Sequence, residues 1–389
     1  MQSPFFLFSL FFSLTQIFLY YDSVDGGNAV IVKNITVDKS RHGDFMTIQD
    51  AIDSVPDGNR QWIRIHMFLY YDFVDGYAVI VKNITVDQSG HGEFTTIQGA
   101  IDSIPDYNTQ WIRIHVVAGI YREKAFIPYQ KEYILIEGEG SQQTSIEWDE
   151  AVSPDLVNLN ITHSNSVLAG GMEGATFSIL ANNFVIRDIA FKNTYDHIKY
   201  GSKQALAVYV SGDKGSFYRC AFFSYQDTLC DFTGRHYFSD CWIEGAIDFI
   251  FGLGQSIYMR STLHSIKEGS QPGWLTAHAK TKLDAPGGFV FKYCTVEGGK
   301  TFLGRAWNSY STVIFYNTYM ADNIMPEGWD AWKTGNNAYQ TTYAEDGCSG
   351  PGSNTANRVN WEKKLSNRQL KYYTSNNFID REGWRSQQP

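Results

Sequence analysis

Short apolar segments that resemble one another recur along the chain from Asn182 onward: FVIRDIAFKN, FYRCAFFS, YFSDCWIEG, IYMRSTLHS, FVFKYCTVEG and IFYNTYMAD. Each opens on apolar or aromatic residues, carries a small-to-medium residue in the middle and returns to an apolar one two places later. Aligned, the middle column reads Ile189, Cys220, Cys241, Ser261, Cys294, Thr318. The inward column beyond it reads Phe191, Phe222, Ile243, Leu263, Val296, Met320. Little helical periodicity intervenes. Coils of roughly 20–30 residues with no helices between them predict a β-solenoid, whose strands stack on their equivalents into long parallel sheets. An all-β sandwich is the alternative, but it needs polar alternation and hairpin turns, which are scarce here. The stack also accounts for Cys220 and Cys241, which are 21 residues apart at equivalent positions. They read as stacked buried thiols or, given suitable geometry, as a bridge between coils. With Cys230, Cys294 and Cys348 there are five cysteines, so at least one lacks an intramolecular partner.

The same period gathers polar residues. A second set of strand starts reads Gln204-Ala-Leu-Ala-Val, Gln226-Asp227-Thr-Leu and Asp248-Phe-Ile-Phe-Gly, with 22 residues from Gln204 to Gln226 and 21 from Asp227 to Asp248. Residues one coil apart lie about 4.8 Å apart along the stack, so these four side chains are expected on one patch of one sheet. Two carboxylates that close cannot both ionise freely, and one should hold its proton while the other stays charged. An acid beside an anion suits the splitting of an ester or glycosidic bond, one group attacking and the other moving the proton. The amides of Gln204 and Gln226 can donate to an oxyanion without adding charge. Polar ladders at solenoid turns are the structural alternative for any one of these residues, but hardly for the constellation. TFLGRAWNSY places Arg305 and Trp307 about two coils beyond Asp248, with WLTAH (274–278) between. A guanidinium there can hold Asp248 ionised and oriented, and the indole offers a flat face to a sugar ring. Trp274, Trp329 and Trp332 are further candidates of weaker placement.

The amino-terminal quarter is duplicated almost verbatim, Phe18 to His66 recurring as Phe68 to His115. The copied unit includes the tail of a hydrophobic leader, PFFLFSLFFSLTQIFLY (4–20), and only the second copy runs on into VVAGIYREKAFIP. A copying event fits this better than an extra structural repeat. The expected organisation is therefore a signal peptide over 1–26, a peripheral duplicated segment over 27–67 and a catalytic domain over 81–389. Sequons at Asn34, Asn83 and Asn160 agree with secretion and glycosylation. The chain has 43% hydrophobic residues and a net charge of −9, so it can bury a large core but lacks the basic face that nucleic acid requires. No Cys-x-x-Cys or His-rich cluster suggests a metal.

The ordered set GIYREK (119–124), QALAV (204–208), GSFYRCAFFSYQDTL (215–229), DCWIEGAIDFIFG (240–252), LGRAW (303–307), PEGW (326–329) and YAEDGCSGPGS (343–353) resembles the plant pectin methylesterase (pectinesterase) family. The similarity runs essentially from Ile84 to Trp384. It implies an all-β, right-handed parallel β-helix with a few short peripheral helices. The implied activity is that of an aspartyl esterase, hydrolysing galacturonate methyl esters to methanol and free carboxylate without metal or organic cofactor. Carried over motif by motif, Asp248 is the nucleophile and Asp227 the general acid and then base. Gln226 and Gln204 stabilise the oxyanion, Arg305 orients Asp248, and Trp307 and Phe251 line the sugar cleft. Implied partners are methyl-esterified homogalacturonan and, as a candidate, a proteinaceous pectinesterase inhibitor. No membrane or nucleic acid is implied, and a secreted, monomeric cell-wall enzyme of the short class, without the inhibitor-like pro-domain, is expected. The chain departs from the family where Tyr209 replaces a basic residue, where LGQSIY follows DFIFG, where LTAHAK replaces Thr-Ala-Gln-Gly-Arg, and at Ala306. With the acidic balance, the lost polar and basic residues suggest a preference for highly esterified substrate. The rival readings are a calcium-dependent lyase or a glycoside hydrolase on the same solenoid, and a catalytically impaired wall-binding relative.

Overall fold

The computed structural model describes residues 78–152, 174–266 and 271–389, together with the backbone of three strands nearer the amino terminus. The chain divides into two units, Met1–Gly76 and Tyr77–Pro389. In the first, Ile31–Val37 pairs in parallel with Trp62–Met67, which also pairs antiparallel with Gln16–Leu19. The rest of the leader and the sequons at Asn34 and Asn160 lie outside the residues whose side chains are described.

The second unit is a solenoid of three parallel sheets with seven, ten and eight strands. One coil shows the plan: Val208–Val210 lies in the seven-stranded sheet, Gly215–Tyr218 in the ten-stranded and Ala221–Phe223 in the eight-stranded, before the chain returns at Leu229–Asp231. The inward column expected from sequence is a register column of the eight-stranded sheet, Phe191 on Phe222, Ile243, Leu263, Val296 and Met320. In the ten-stranded sheet, Phe217, Phe238, Tyr258, Phe291 and Phe315 stack with ring centroids 4.5 to 4.7 Å apart. That spacing is the strand spacing itself, so the backbone pairing sets the ring stacking, worth about 0.5–1.5 kcal/mol per pair beyond burial.

The middle column of the sequence segments makes the corner between the ten- and eight-stranded sheets. Immediately before each of its members the chain takes a left-handed residue: Asp188, Arg219, Asp240, Arg260, Tyr293 and Asn317, with φ between 49° and 57°. Reversing the pleat there turns Ile189, Cys220, Cys241, Ser261, Cys294 and Thr318 inward, where all are buried. All five cysteines are free thiols; Cys220, Cys241 and Cys294 donate to backbone carbonyls.

Helices are short and peripheral. Ile97–Asp102 is capped by Thr96, and Asn367–Thr374 starts with a capping box between Ser366 and Gln369. Among the described residues no helix is long and apolar enough to cross a membrane.

Candidate active site

The polar patch forms on the seven-stranded sheet, at the start of its middle strands. Leu229 is in register with Ile250 and Gln226 bridges Ile247, which sets Asp227 over Asp248 one coil on. The Asp227 amide donates to the Ile247 carbonyl at 2.9 Å. Both aspartates are left-handed, φ 63° for Asp227 and 48° for Asp248. Aspartate tolerates that conformation better than most side chains, and here it points both carboxylates out of the strand ladder. Next to Asp248 the pairing of Ile247–Gly252 with Gly273–His278 slips between Ile247 and Ile250, a bulge that re-aims the side chain. Gly252 closes the motif at φ 130°, where a Cβ would sit 2.0 Å from the Asp231 carbonyl. Only glycine fits that approach.

Arg305 reaches back across the intervening coil and grips Asp248 with two parallel bonds, Nε to Oδ1 at 2.7 Å and Nη2 to Oδ2 at 2.5 Å. Its guanidinium lies between two indoles, 4.3 Å from the Trp274 ring and 3.9 Å from Trp332. Asp330 fixes both walls, accepting from Trp274 Nε1 at 2.9 Å and from the Trp332 amide at 2.8 Å. A fork held this rigidly leaves Asp248 one orientation.

The electrostatics separate the two acids. Burial, with Asp248 beside it, pushes the Asp227 carboxyl well above the usual carboxylate range. Burial also raises Asp248, but the Arg305 hydrogen bonds and charge pull against it. Asp248 thus ionises first, and the shared proton stays with Asp227. Gln226 Oε1 accepts from Ser202 Oγ at 2.6 Å, which turns the amide N–H groups of Gln226 toward the Asp227 carboxyl, to which the amide donates. Gln204 stands opposite Gln226: the Ala205 amide donates to the Gln226 carbonyl at 3.1 Å, in the same relation as the Asp227 amide to the Ile247 carbonyl beneath Gln226. Phe251 and Trp307 meet at 6.2 Å with rings tilted by 40°, Phe251 as buried floor and Trp307 half-buried beside it.

The structure therefore brings Gln204, Gln226, Asp227, Asp248, Arg305, Phe251 and Trp307 to one face. Trp274 and Trp332 belong to it as the clamp on Arg305, whereas Trp329 is core, packed on Tyr343. Sequence reasoning missed Ser202, Asp330 and Lys333, whose ammonium lies 4.4 Å from the Trp332 ring and 5.3 Å from Trp307. No motif marked them, since each acts through a neighbour supplied by another coil. Two departures from the family prove remote from the cleft surface. Tyr209 is fully buried against Phe232, and His278 is fully buried, its Nδ1 accepting from the Thr312 amide at 3.0 Å. No group of metal-ligating side chains occurs among the described residues.

The sequence matches the pectinesterase family over residues 83–382. The chain belongs to the pectinesterase family. It is 43% identical over 365 residues to "Probable pectinesterase 29" of Arabidopsis thaliana, covering 91% of this chain and 89% of that one. "Probable pectinesterase 55" of the same plant is 44% identical over 360 residues, covering 90% and 89%. Among solved structures, the pectin methylesterase from carrot superposes with a TM-score of 0.69 at 29% identity, over 77% of this chain and 94% of that one. A pectin methylesterase in complex with a hexasaccharide gives 0.65 at 26%, over 77% and 98%. With these relatives the fold of the pectinesterase chain is the right-handed parallel β-helix.

Proposed function

We propose that this pectinesterase removes methyl esters from galacturonate units of pectin with the Asp227–Asp248 pair, releasing methanol and an acidic polymer. Ionised Asp248 attacks the ester carbonyl carbon, and the amides of Gln226 and Gln204 bind the oxyanion that forms. Protonated Asp227 gives its proton to the departing methoxide, and methanol leaves an acyl–Asp248 anhydride. Asp227, now a carboxylate, takes one proton from water as that water attacks the galacturonyl carbon of the anhydride and Asp248 leaves as carboxylate; the product acid departs and gives its proton to solvent, and both aspartates return to their first states. Arg305 positions Asp248, and Trp307 with Phe251 offers apolar surface to the sugar rings.

The observation that carries this reading is the bidentate Arg305 grip on one carboxylate of a stacked pair, while its neighbour Asp227 forms no ion pair among the described residues. The hexasaccharide complexes of relatives support pectin as substrate. The Tyr209 and His278 positions lend no support to a preference for highly esterified pectin, because neither side chain reaches the cleft. Secretion to the cell wall as a glycosylated monomer, with 81–389 as the catalytic domain, completes the proposal; Asn83, in its sequon, is exposed. The test is methanol release from esterified pectin in the presence of a chelator. The wild-type chain should release methanol, and Asp248→Asn should lower the rate by about 10³-fold or more with the fold intact. Equal rates would remove Asp248 from the mechanism.

A further inference from the structure

Away from the aspartates, a cavity of about 480 Å³ opens between the loop after Gly273–His278 and the carboxy-terminal segment. Its size is that of a small-ligand site. Lys280 lines it, only 9% exposed, and makes no hydrogen bond or ion pair among the described residues. Burial pushes its ammonium pKa down, and the one charge pulling it back is Asp284 on the same loop. The Lys280 side chain is sunk in the wall while its ammonium opens onto the cavity, and a cation so placed and left unpaired is where an anion can meet it. Arg381, exposed and without a hydrogen bond or ion pair among the described residues, also lines the cavity. Arg235, which also borders the cavity, is already spent: Asp213 and Glu382 hold its guanidinium at 2.6 to 2.9 Å. The uncommitted charge is thus two cations against Asp284.

The remaining wall is aromatic and fixed. Tyr372 and Tyr373 pack on Phe378 at 5.7 and 5.5 Å, and the segment is tied down by Lys292 Nζ donating to the Thr374 carbonyl at 2.5 Å and by Gln255 Nε2 donating to the Phe378 carbonyl. Tyr372 remains half exposed, leaving ring surface for a ligand. Ammonium and guanidinium beside tyrosine rings fit a sugar that carries a free carboxylate. A methyl ester would leave both cations unmet.

We infer that this cavity is a second carbohydrate site, which takes a de-esterified galacturonate unit through Lys280 and Arg381. The choice of ligand rests on the proposed reaction, whose product is that uronate; the cavity itself does not. From Trp274, which touches Arg305, to Lys280 is six residues, or about 20 Å of extended chain, so the site is separate from the aspartate pair.

The test is calorimetric titration of the full chain with trigalacturonate, alongside methanol release. Two sites are expected. Trp307→Ala should remove one, while Lys280→Met and Arg381→Ala should each weaken the other about tenfold or more. Lys280→Arg should keep it, and a fully methyl-esterified trimer on the Asp248→Asn chain should not fill it. The exposed Arg381 covers the case in which Lys280→Met misfolds, and Lys280→Met should melt no lower than wild type. A single site lost with Trp307→Ala and unchanged by both cavity variants would overturn the inference. Cavity binding in a chain that releases no methanol would count against the proposed reaction alone.

Discussion

Among the described residues, left-handed aspartates form two sets in this solenoid, alternating with arginines at one corner and stacked on each other in the cleft. At the corner between the ten- and eight-stranded sheets, Asp188 and Asp240 each have a private arginine. Arg219 meets Asp188 at 2.6 and 2.7 Å, and Arg260 meets Asp240 at 2.8 Å. These pairs face solvent, and the Arg260 and Ser239 bonds outweigh burial to hold Asp240 below its ordinary pKa. On the seven-stranded sheet Asp227 and Asp248 have one arginine between them, and both carboxyls are pushed up. A left-handed aspartate at a turn of the solenoid is therefore structurally ordinary when the next coil supplies an arginine. Withholding a cation from one of two stacked acids, in a buried cleft, is what makes an acid–base pair.

The comparison can be sharpened by substitution at each set. Asp227→Asn should cut methanol release by about 10²–10⁴-fold, the range for loss of a general acid–base group. It should also report on the proton. A carboxyl whose pKa is raised by folding contributes stability that is present in acid and lost as pH rises through its folded value. Melting temperature in Asp227→Asn should thus gain on wild type as pH climbs out of the ordinary carboxylate range; a constant gap would mean that Asp227 is not raised. Arg305→Lys keeps charge but loses the fork. Asp248 should then titrate higher, moving the acid limb of the kcat/KM profile upward in pH with a smaller loss of rate. An unmoved limb would show that the fork does not set the Asp248 pKa. The smallest effect is expected at the corner: Asp240→Asn should leave methanol release unchanged and cost about 0.5 kcal/mol or less in denaturant unfolding. A large loss of activity there would erase the distinction between the two sets.

Much of this arrangement was readable before any coordinates, because a solenoid converts a sequence period into a spatial column. The Phe191-to-Met320 column follows from aligning the recurring segments, whose coils run from 20 to 33 residues, and the placing of Asp227 over Asp248 from the 21-residue step between them. Arg305 was reachable by counting coils, although the two-indole clamp that fixes it was not. Gln204 lies 22 residues before Gln226, one more than separates Val208 from Leu229, so one extra residue is taken up between the two registers. Tyr209 and His278 were less legible. Strands such as Val208–Val210 are buried on both faces, inside by the core and outside by the layer that includes Phe232 and Phe251. Alternation then carries no inside–outside information, and a side chain on the cleft side can still be covered. The duplicated segment marks the limit of local pattern. Ile31–Val37 with Trp62–Met67 repeats the parallel pairing and register break of Ile80–Val86 with Trp111–Val116. Among the described residues, only the second copy continues into a further parallel neighbour, Ile134–Glu137.

The most direct test is a carboxyl-carbon NMR titration of the aspartates in the wild-type chain, assigned with Asp227→Asn and Asp248→Asn. One resonance, lost in Asp227→Asn, should keep its proton well above the ordinary carboxylate range while the Asp248 signal ionises before it. Both signals titrating together in the ordinary range, or Asp248 holding the proton longer, would contradict the account.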